Sequence, residues 1–184
     1  MMYYVVKYTG KFGFIKPWTA VRDGLTYSQQ FLSPSTLEGI EKKLFPETLT
    51  QNGVITKIKR YRLSYSFIDV QKEQTQTRGF NGKKKIRERA VLNRGIMIDP
   101  ILYLAFEDYD EALIASKQHV CLCRNEDILL PDSMIEGMDE SSFNSIKGFE
   151  MRFGKSEQSF MVGYNRFDNS PMYGWLEIDG QSIL

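Results

Sequence analysis

The sequence has 184 residues, of which 42% are hydrophobic and 13% aromatic, and a formal net charge of +1. A chain of this size and apolar content can bury its own core, which excludes a disordered tail and predicts one domain, or one domain with an appendage. It contains neither an uncharged run near the roughly 18 apolar residues of a membrane span nor a basic segment followed by an apolar run, as in a signal peptide. A soluble, cytoplasmic protein is therefore expected.

The small net charge conceals two halves of opposite sign. Residues 1–94 carry 18 Lys and Arg against 7 Asp and Glu, a net charge of +11, whereas residues 95–184 carry 6 against 16, a net charge of −10. Such separation is typical of a protein that holds a polyanion at one end and avoids it, or meets another protein, at the other. We therefore interpret the basic half as a nucleic-acid surface.

The first predicted elements are a strand and a helix, separated by a loop rich in aromatic and basic residues. Residues 2–9 are β-branched and aromatic, which favours a strand that Gly10 ends. Ser35 followed by Glu38 is a capping-box pattern, and apolar residues then recur at helical spacing. The spacing predicts a helix over about 35–45.

A long strand and a charged segment come next. Residues 53–70 alternate between apolar and polar or basic side chains, which is typical of one half-buried strand with a basic face. Residues 71–89 carry many charges that cannot be packed away, which predicts a projecting hairpin or a mobile loop. A further strand over 96–106 is restricted by Pro100 to an edge or a bulge.

The rest of the chain is predicted as a helix over 108–118, a short strand over 119–123, an irregular acidic stretch and three strands. Up to about residue 124 the order is strand, helix, strand, strand, helix, strand. This order predicts an α+β fold: a ferredoxin-like (RRM-like) βαββαβ domain over residues 1–130, with a basic hairpin insertion. A small β-rich C-terminal extension over 131–184 is expected to pack on it.

Four segments carry a resemblance to a known family. They are an aromatic and basic loop leading into a helix (10–40), RERAVLNRGIMIDPILYLAF (87–106), DYDEALIASKQ (108–118) and CRNEDILLP (123–131), where Cys123 replaces the glycine usual in the family. In this order they resemble the CRISPR-associated subunit that caps the 5′ end of the guide RNA in Cascade-type complexes. This is the family numbered five of the repeat-associated RNA-binding superfamily.

The resemblance implies a subunit that binds the repeat-derived 5′ handle of a CRISPR RNA through its basic loops. An extended hairpin, the thumb, would wedge between handle and spacer, and it is predicted here over about residues 69–92. The implied partners are the guide RNA, the neighbouring backbone and large subunits of the effector complex and, indirectly, the target DNA. No cofactor, metal or membrane is expected.

Affinity for RNA comes mainly from lysine and arginine displacing counterions, and single-stranded bases stack on aromatic or guanidinium planes. The aromatic residues could instead be core, and the basic residues a solvated strand face or a flexible segment. The aromatic and basic residues are concentrated in one region of the sequence, which favours the RNA interpretation for the set as a whole. The predicted RNA-binding residues are Lys11, Phe12, Phe14, Lys16, Trp18, Arg22, Tyr27, Ser28, Ser33, Ser35, Lys59, Arg60, Arg62, Arg78, Lys83, Lys84, Lys85, Arg87, Arg89, Arg94 and Arg124.

Catalysis is the alternative hypothesis, because some members of the family cut precursor RNA without a metal. That reaction needs a general base and a cation that stabilises the phosphorane. His119, the single histidine, begins a predicted core strand, where a structural role is favoured. A second candidate for catalysis is the pair of Tyr27 and Lys16. We therefore predict a non-catalytic RNA-binding subunit, with a metal-independent endoribonuclease as the alternative and an RNA-binding module unrelated to CRISPR as a third possibility.

A metal site at His119, Cys121 and Cys123 is not expected. These residues share one face of the predicted strand, where successive side chains stand about 7 Å apart, too far for three to meet one tetrahedral zinc. Core packing is predicted for them instead. The two cysteines are also badly placed for a mutual disulfide, which fits a reducing compartment.

Overall fold

The computed structural model describes residues 1–17, 24–165 and 168–179. These residues form twelve strands, three α-helices and one 3₁₀ turn, and none of the helices is long and apolar enough to cross a membrane. The elements in chain order are β1 (Met2–Thr9), β2 (Phe12–Gly13), β3 (Leu25–Tyr27), α1 (Pro34–Leu44), the 3₁₀ turn (Pro46–Thr48), β4 (Arg60–Ser64), β5 (Phe67–Asn81), β6 (Ile86–Ile98), β7 (Ile101–Phe106), α2 (Tyr109–Ala115), β8 (Val120–Cys121), β9 (Ile128–Asp139), α3 (Glu140–Asn144), β10 (Gly148–Phe153), β11 (Phe160–Tyr164) and β12 (Pro171–Asp179).

Two sheets organise these strands. The larger has eight strands in the order β11-β12-β10-β4-β7-β1-β9-β8, and every neighbouring pair is antiparallel. In the smaller sheet, β6 pairs with β2, β3 and β5; the β3–β6 pair is parallel. The turn at Asp99 and Pro100 passes the chain from β6 of the smaller sheet to β7 of the larger one.

The prediction of a ferredoxin-like α+β fold with a short C-terminal extension is wrong. The strands found among the described residues account for 47% of the sequence, and the main sheet has eight strands where the prediction had four. The stretch over 131–142 was predicted as irregular and acidic, but residues 131–139 belong to β9, which pairs with β1. The three C-terminal strands enlarge the same sheet on its other side, where β10 pairs with β4. Local sequence pattern indicated several of these strands, but it does not specify which distant strand each one joins.

The main core lies on one face of the eight-stranded sheet, beneath α1 and α2. Leu37, Ile40 and Leu44 of α1 pack there with buried residues of β1, β4 and β7. The hydroxyl of Tyr8 donates to the carbonyl oxygen of Ala115 at 2.8 Å, which ties α2 to β1. A smaller cluster on the opposite face packs Tyr3, Val5 and Ala105 against Phe143 of α3. Both faces at the centre of the sheet are therefore buried.

Helix α1 begins two residues before the predicted capping box. Its N-cap is Ser33, whose Oγ accepts the Thr36 amide at 3.2 Å, and Pro34 occupies the first turn, where its missing N–H costs nothing. Glu41 is 1% exposed, and its carboxylate accepts the backbone amides of residues 56, 57 and 58 at 2.8 Å each. These bonds hold residues 56–58 against α1, so the predicted strand over 53–70 does not begin until Arg60.

Several other predicted elements need smaller corrections. The strand over 53–70 is interrupted at residues 65 and 66, which separate β4 from β5, and the strand over 96–106 is two strands divided at Pro100. Residues 71–89, predicted as a hairpin or a mobile loop, form a hairpin of β5 and β6. The strand over 2–9 and the three C-terminal strands are confirmed.

The buried hydroxyl of Tyr61, on β4, joins the segment that precedes α1 to β10 through hydrogen bonds. It donates to the Leu32 carbonyl at 3.0 Å and accepts the amides of Leu32 at 3.1 Å and Met151 at 2.6 Å. Tyr61→Phe leaves these groups without a partner, and each such loss costs about 1–3 kcal/mol. We expect the free energy of unfolding in urea to fall by at least about 3 kcal/mol.

Tyr164→Phe is the matched control, because Tyr164 is exposed. It should change the free energy of unfolding by no more than about 0.5 kcal/mol. Equal stability of the Tyr61→Phe and Tyr164→Phe proteins would contradict the role given to the Tyr61 hydroxyl.

Candidate nucleic-acid interface

The hairpin of β5 and β6 is the most basic projecting element of the described chain. The two strands pair from Phe67 and Ile98 at the base to Asn81 and Ile86 next to the turn. The turn holds Lys83, Lys84 and Lys85, all three exposed, and Lys85 adopts a left-handed conformation with φ of 51°. Of the other predicted residues, Arg78 lies on β5, and Arg87 and Arg89 lie on β6.

One face of the smaller sheet carries an exposed aromatic ring on a flat support. Tyr27 pairs with Gly95, and its ring lies over that glycine: a Cβ built on Gly95 would stand 2.2 Å from Cδ1 of Tyr27. Any side chain at position 95 would displace the ring. Although Gly95 is buried beneath it, Tyr27 is 53% exposed.

Strand register shows which residues share the face that carries Tyr27, because opposed residues share a face and alternate residues repeat it. Of the residues on this face we select Leu25, Val70, Lys72 and Val91, which are exposed around the ring. Leu25 and Val70 are each 46% exposed, Val91 is 53% exposed, and Lys72 is also exposed. We call Leu25, Tyr27, Val70, Lys72 and Val91 the platform. A base can stack on the tyrosine ring while the neighbouring lysine meets a phosphate.

The opposite face of the same sheet holds two guanidinium groups against one phenyl ring. The guanidinium carbons of Arg94 and Arg124 lie 5.6 and 5.4 Å from the ring centroid of Phe14, close enough for cation–π attraction. Arg94 also pairs with Glu73 at 3.3 Å. The structure thus brings together three predicted residues that are far apart in the chain, although Phe14 itself is buried.

A buried carboxylate fixes the position of Arg124. Asp127 has no exposed surface and accepts Nε, Nη2 and the backbone amide of Arg124 at 2.9, 2.6 and 3.2 Å. The hydrogen bonds between its guanidinium and Asp127 raise the pKa of Arg124 above its ordinary value. Arg124 is therefore a fixed cation where the smaller sheet meets the larger one.

The basic residues of β4 do not contribute to an exposed surface. Arg60 and Arg62 are 3% and 2% exposed, and Glu150 accepts Nε and Nη2 of Arg60 at 2.7 Å each. Burial by itself would lower the pKa of Arg60, but the hydrogen bonds and charge of Glu150 raise it above its ordinary value. Lys59 is exposed but pairs with Glu107 at 3.3 Å. The alternation that predicted a solvated basic face reflects a buried ion network at Arg60 and Arg62.

The predicted serines have structural partners. Ser33 caps α1, and its Oγ also lies 3.0 Å from the Oγ of Ser35. The Oγ of Ser28 accepts the amide of Ile15 at 2.9 Å, and the Ser28 amide donates to the carbonyl of Gly95 at 2.7 Å. Ser28 therefore holds the end of β3 beside β6 and supports the platform from behind.

The remaining predicted residues lie at the start of the chain. Lys11 and Lys16 are exposed, and Phe12 is half-buried on β2. Trp18 and Arg22 lie outside the described residues.

The residues considered for catalysis, His119, Tyr27 and Lys16, are only partly brought together. Lys16 and Tyr27 lie on neighbouring segments of the chain, because the residues beside them, Ile15 and Ser28, are joined by a hydrogen bond. His119 is exposed where β8 begins, and its backbone carbonyl accepts the ammonium of Lys43. Within residues 1–17, 24–165 and 168–179, no group of three His, Cys, Asp or Glu side chains could hold a metal ion.

Sequence reasoning missed the platform residues other than Tyr27, and it missed Asp127. Gly95 had a readable signal, since a glycine inside a strand often marks close approach of another group. No comparable signal marked Val70 or Val91, whose exposure follows from strand pairing alone. No protein-family model matches this sequence, and no curated protein is similar to it. The family resemblance therefore rests on the quoted motifs.

Proposed function

We propose that this protein is a cytoplasmic RNA-binding subunit that holds a single-stranded RNA along the platform and the lysine-bearing turn of the hairpin. The RNA that we propose is the 5′ handle of a CRISPR guide RNA, within a Cascade-type effector complex. The observation that carries the RNA proposal is the exposed Tyr27 ring, held over Gly95 on the sheet that projects the three turn lysines.

Two features support RNA over an apolar ligand or a second protein at this place. The platform combines a solvent-accessible ring with Lys72, and stacking on an aromatic ring accepts any base. The turn adds three lysines that a polyanion can reach.

Two variants test the platform separately from overall charge. Tyr27→Ala removes the ring, and because base stacking is worth about 1–3 kcal/mol, affinity for a short single-stranded RNA should fall roughly 10-fold or more. Gly95→Ala keeps the ring but forces it to move, since the new Cβ would overlap it. We expect a loss in the same direction, measured by fluorescence anisotropy of labelled RNA.

Tyr164→Phe and Tyr164→Ala serve as matched controls, because Tyr164 is an exposed tyrosine of the acidic half. They should bind RNA as the unaltered protein does. Unchanged RNA affinity of Tyr27→Ala would remove the platform from the interface.

The identity of the RNA needs its own experiment. The protein is expressed with a CRISPR array and the co-purifying RNA is sequenced. Short RNAs with one uniform, repeat-derived 5′ sequence are expected. RNA of random sequence would contradict the guide RNA while leaving RNA binding in place, and cleavage of repeat RNA in the presence of chelator would favour the endoribonuclease.

A further inference from the structure

Strand β9 has a neighbour on only one side over most of its length. It pairs with β1 through Met2–Thr9, whereas β8 covers only Ile128 and Leu129. In the part of the chain that the structure describes, no strand pairs with the other side of residues 130–139. We call Ile135–Asp139 the β9 edge, because its register with β1 is regular there.

The β9 edge lacks the features that usually block pairing with another chain. Such features are proline, lysine, bulges and covering segments. Pro131 and the irregular register between residues 131 and 135 protect the first half of β9, but the β9 edge has neither. A Cβ built on Gly137 would meet no atom within 4 Å, so the face of the sheet is open at this point. Among the described strands, residues 135–139 pair with β1 alone, so their other side is a free edge. The outward backbone groups of this segment can therefore accept a further strand.

Charge decides which kind of strand fits. Strand β9 has no Lys or Arg, and its three carboxylates, Asp132, Glu136 and Asp139, are all exposed. Glu136 is exposed within the β9 edge, and α2, which contacts β9, begins with the exposed Asp108 and Asp110. An RNA strand would be repelled here. A second copy of the same edge would bring like charges together, which is unfavourable between paired strands.

We propose that the β9 edge docks an extended, lysine- or arginine-bearing strand of a partner protein, which joins the eight-stranded sheet beside β9. Backbone hydrogen bonds give such β-addition its affinity, and side chains next to the strand give its specificity. Here specificity comes from the acidic residues around the edge. The site lies in the acidic half of the chain, apart from the platform, and it does not depend on whether the protein binds RNA.

The experiment uses a synthetic decapeptide of alternating lysine and valine as the probe. Binding to the full chain is measured by fluorescence anisotropy, and hydrogen exchange locates it. We expect slowed amide exchange at residues 135–139. A peptide in which proline replaces the two central valines keeps its charge but cannot pair, and it should bind at least tenfold more weakly.

Glu136→Lys changes the exposed charge of the edge and should weaken binding of the alternating peptide at least tenfold. Glu157→Lys makes the same change in the exposed connection between β10 and β11 and should leave the affinity within twofold. Equal binding of the proline peptide would show charge attraction alone and would overturn the proposal. Protection confined to other residues, or dimerisation of the free chain that Glu136→Lys abolishes, would overturn it as well.

Discussion

Replacing Glu150 by alanine is expected to lower the free energy of unfolding by about 3–5 kcal/mol, because it leaves two buried arginines without their central partner. The side chain of Glu150 is 3% exposed and binds Arg60 through both carboxylate oxygens. It also lies 3.8 Å from Nε of Arg62, a nitrogen that has no hydrogen-bond partner. Urea unfolding followed by circular dichroism measures the effect.

Two controls separate the missing partner from the missing volume. Glu150→Gln keeps the shape but not the charge, and it should destabilise the protein nearly as much as alanine does. The double change Arg60→Met with Glu150→Leu removes both charges and should cost much less than the two single changes together, since apolar replacement of a buried pair is often neutral. Additive losses in the double variant would contradict a coupled pair.

The network around Glu150 explains part of the charge separation in the sequence. Glu177 contacts both Arg60 and Arg62 at 3.3 Å, and Glu140 is a further partner of Arg60. Burial alone would raise the pKa of Glu177, but the hydrogen bond from Arg152 and nearby positive charge hold it below its ordinary value. Two of the cations counted in the basic half are thus neutralised by carboxylates of the acidic half.

The local patterns predicted elements better than they predicted the fold. Strand β1 was recognisable because its residues are β-branched and aromatic, and α1 because apolar residues recur at helical spacing. Strand β9 was missed because its acidic residues lie at an exposed sheet edge, where strands tolerate charge. The eight-strand order depends on pairs such as Phe149 with Leu63, which are far apart in the chain and leave no local signal.

Some residues of the candidate site could likewise be identified from the local sequence, and others could not. Lys83, Lys84 and Lys85 were identifiable because a run of charges with few apolar neighbours has to stay at the surface. Arg60 and Arg62 have the same residue type and an alternating pattern, but their carboxylate partners come from residues 140–177, which sequence spacing does not bring near. Charge type is readable from sequence, whereas its burial depends on tertiary pairing.

Replacing Lys83, Lys84 and Lys85 by glutamate should weaken binding of single-stranded RNA on the order of 100-fold at low salt, because a phosphate that no lysine neutralises keeps its condensed counterion. The slope of log affinity against log salt should become shallower by about 2, at roughly 0.7 for each lysine that meets a phosphate. The difference between the variant and the unaltered protein should therefore shrink as salt rises. Anisotropy titrations of labelled RNA over a series of salt concentrations measure both quantities.

A second triple variant has the same net charge as the first, but its three replaced lysines lie elsewhere on the protein. Lys117, Lys147 and Lys155 are exposed lysines of the acidic half, and their replacement by glutamate alters the net charge by the same amount. If RNA binds at the turn of the hairpin, this variant keeps most of its affinity and its salt slope, since long-range repulsion is screened beyond about 10 Å at 0.1 M salt. Equal losses in the two triple variants would mean that RNA responds to net charge alone, and the hairpin would lose its role.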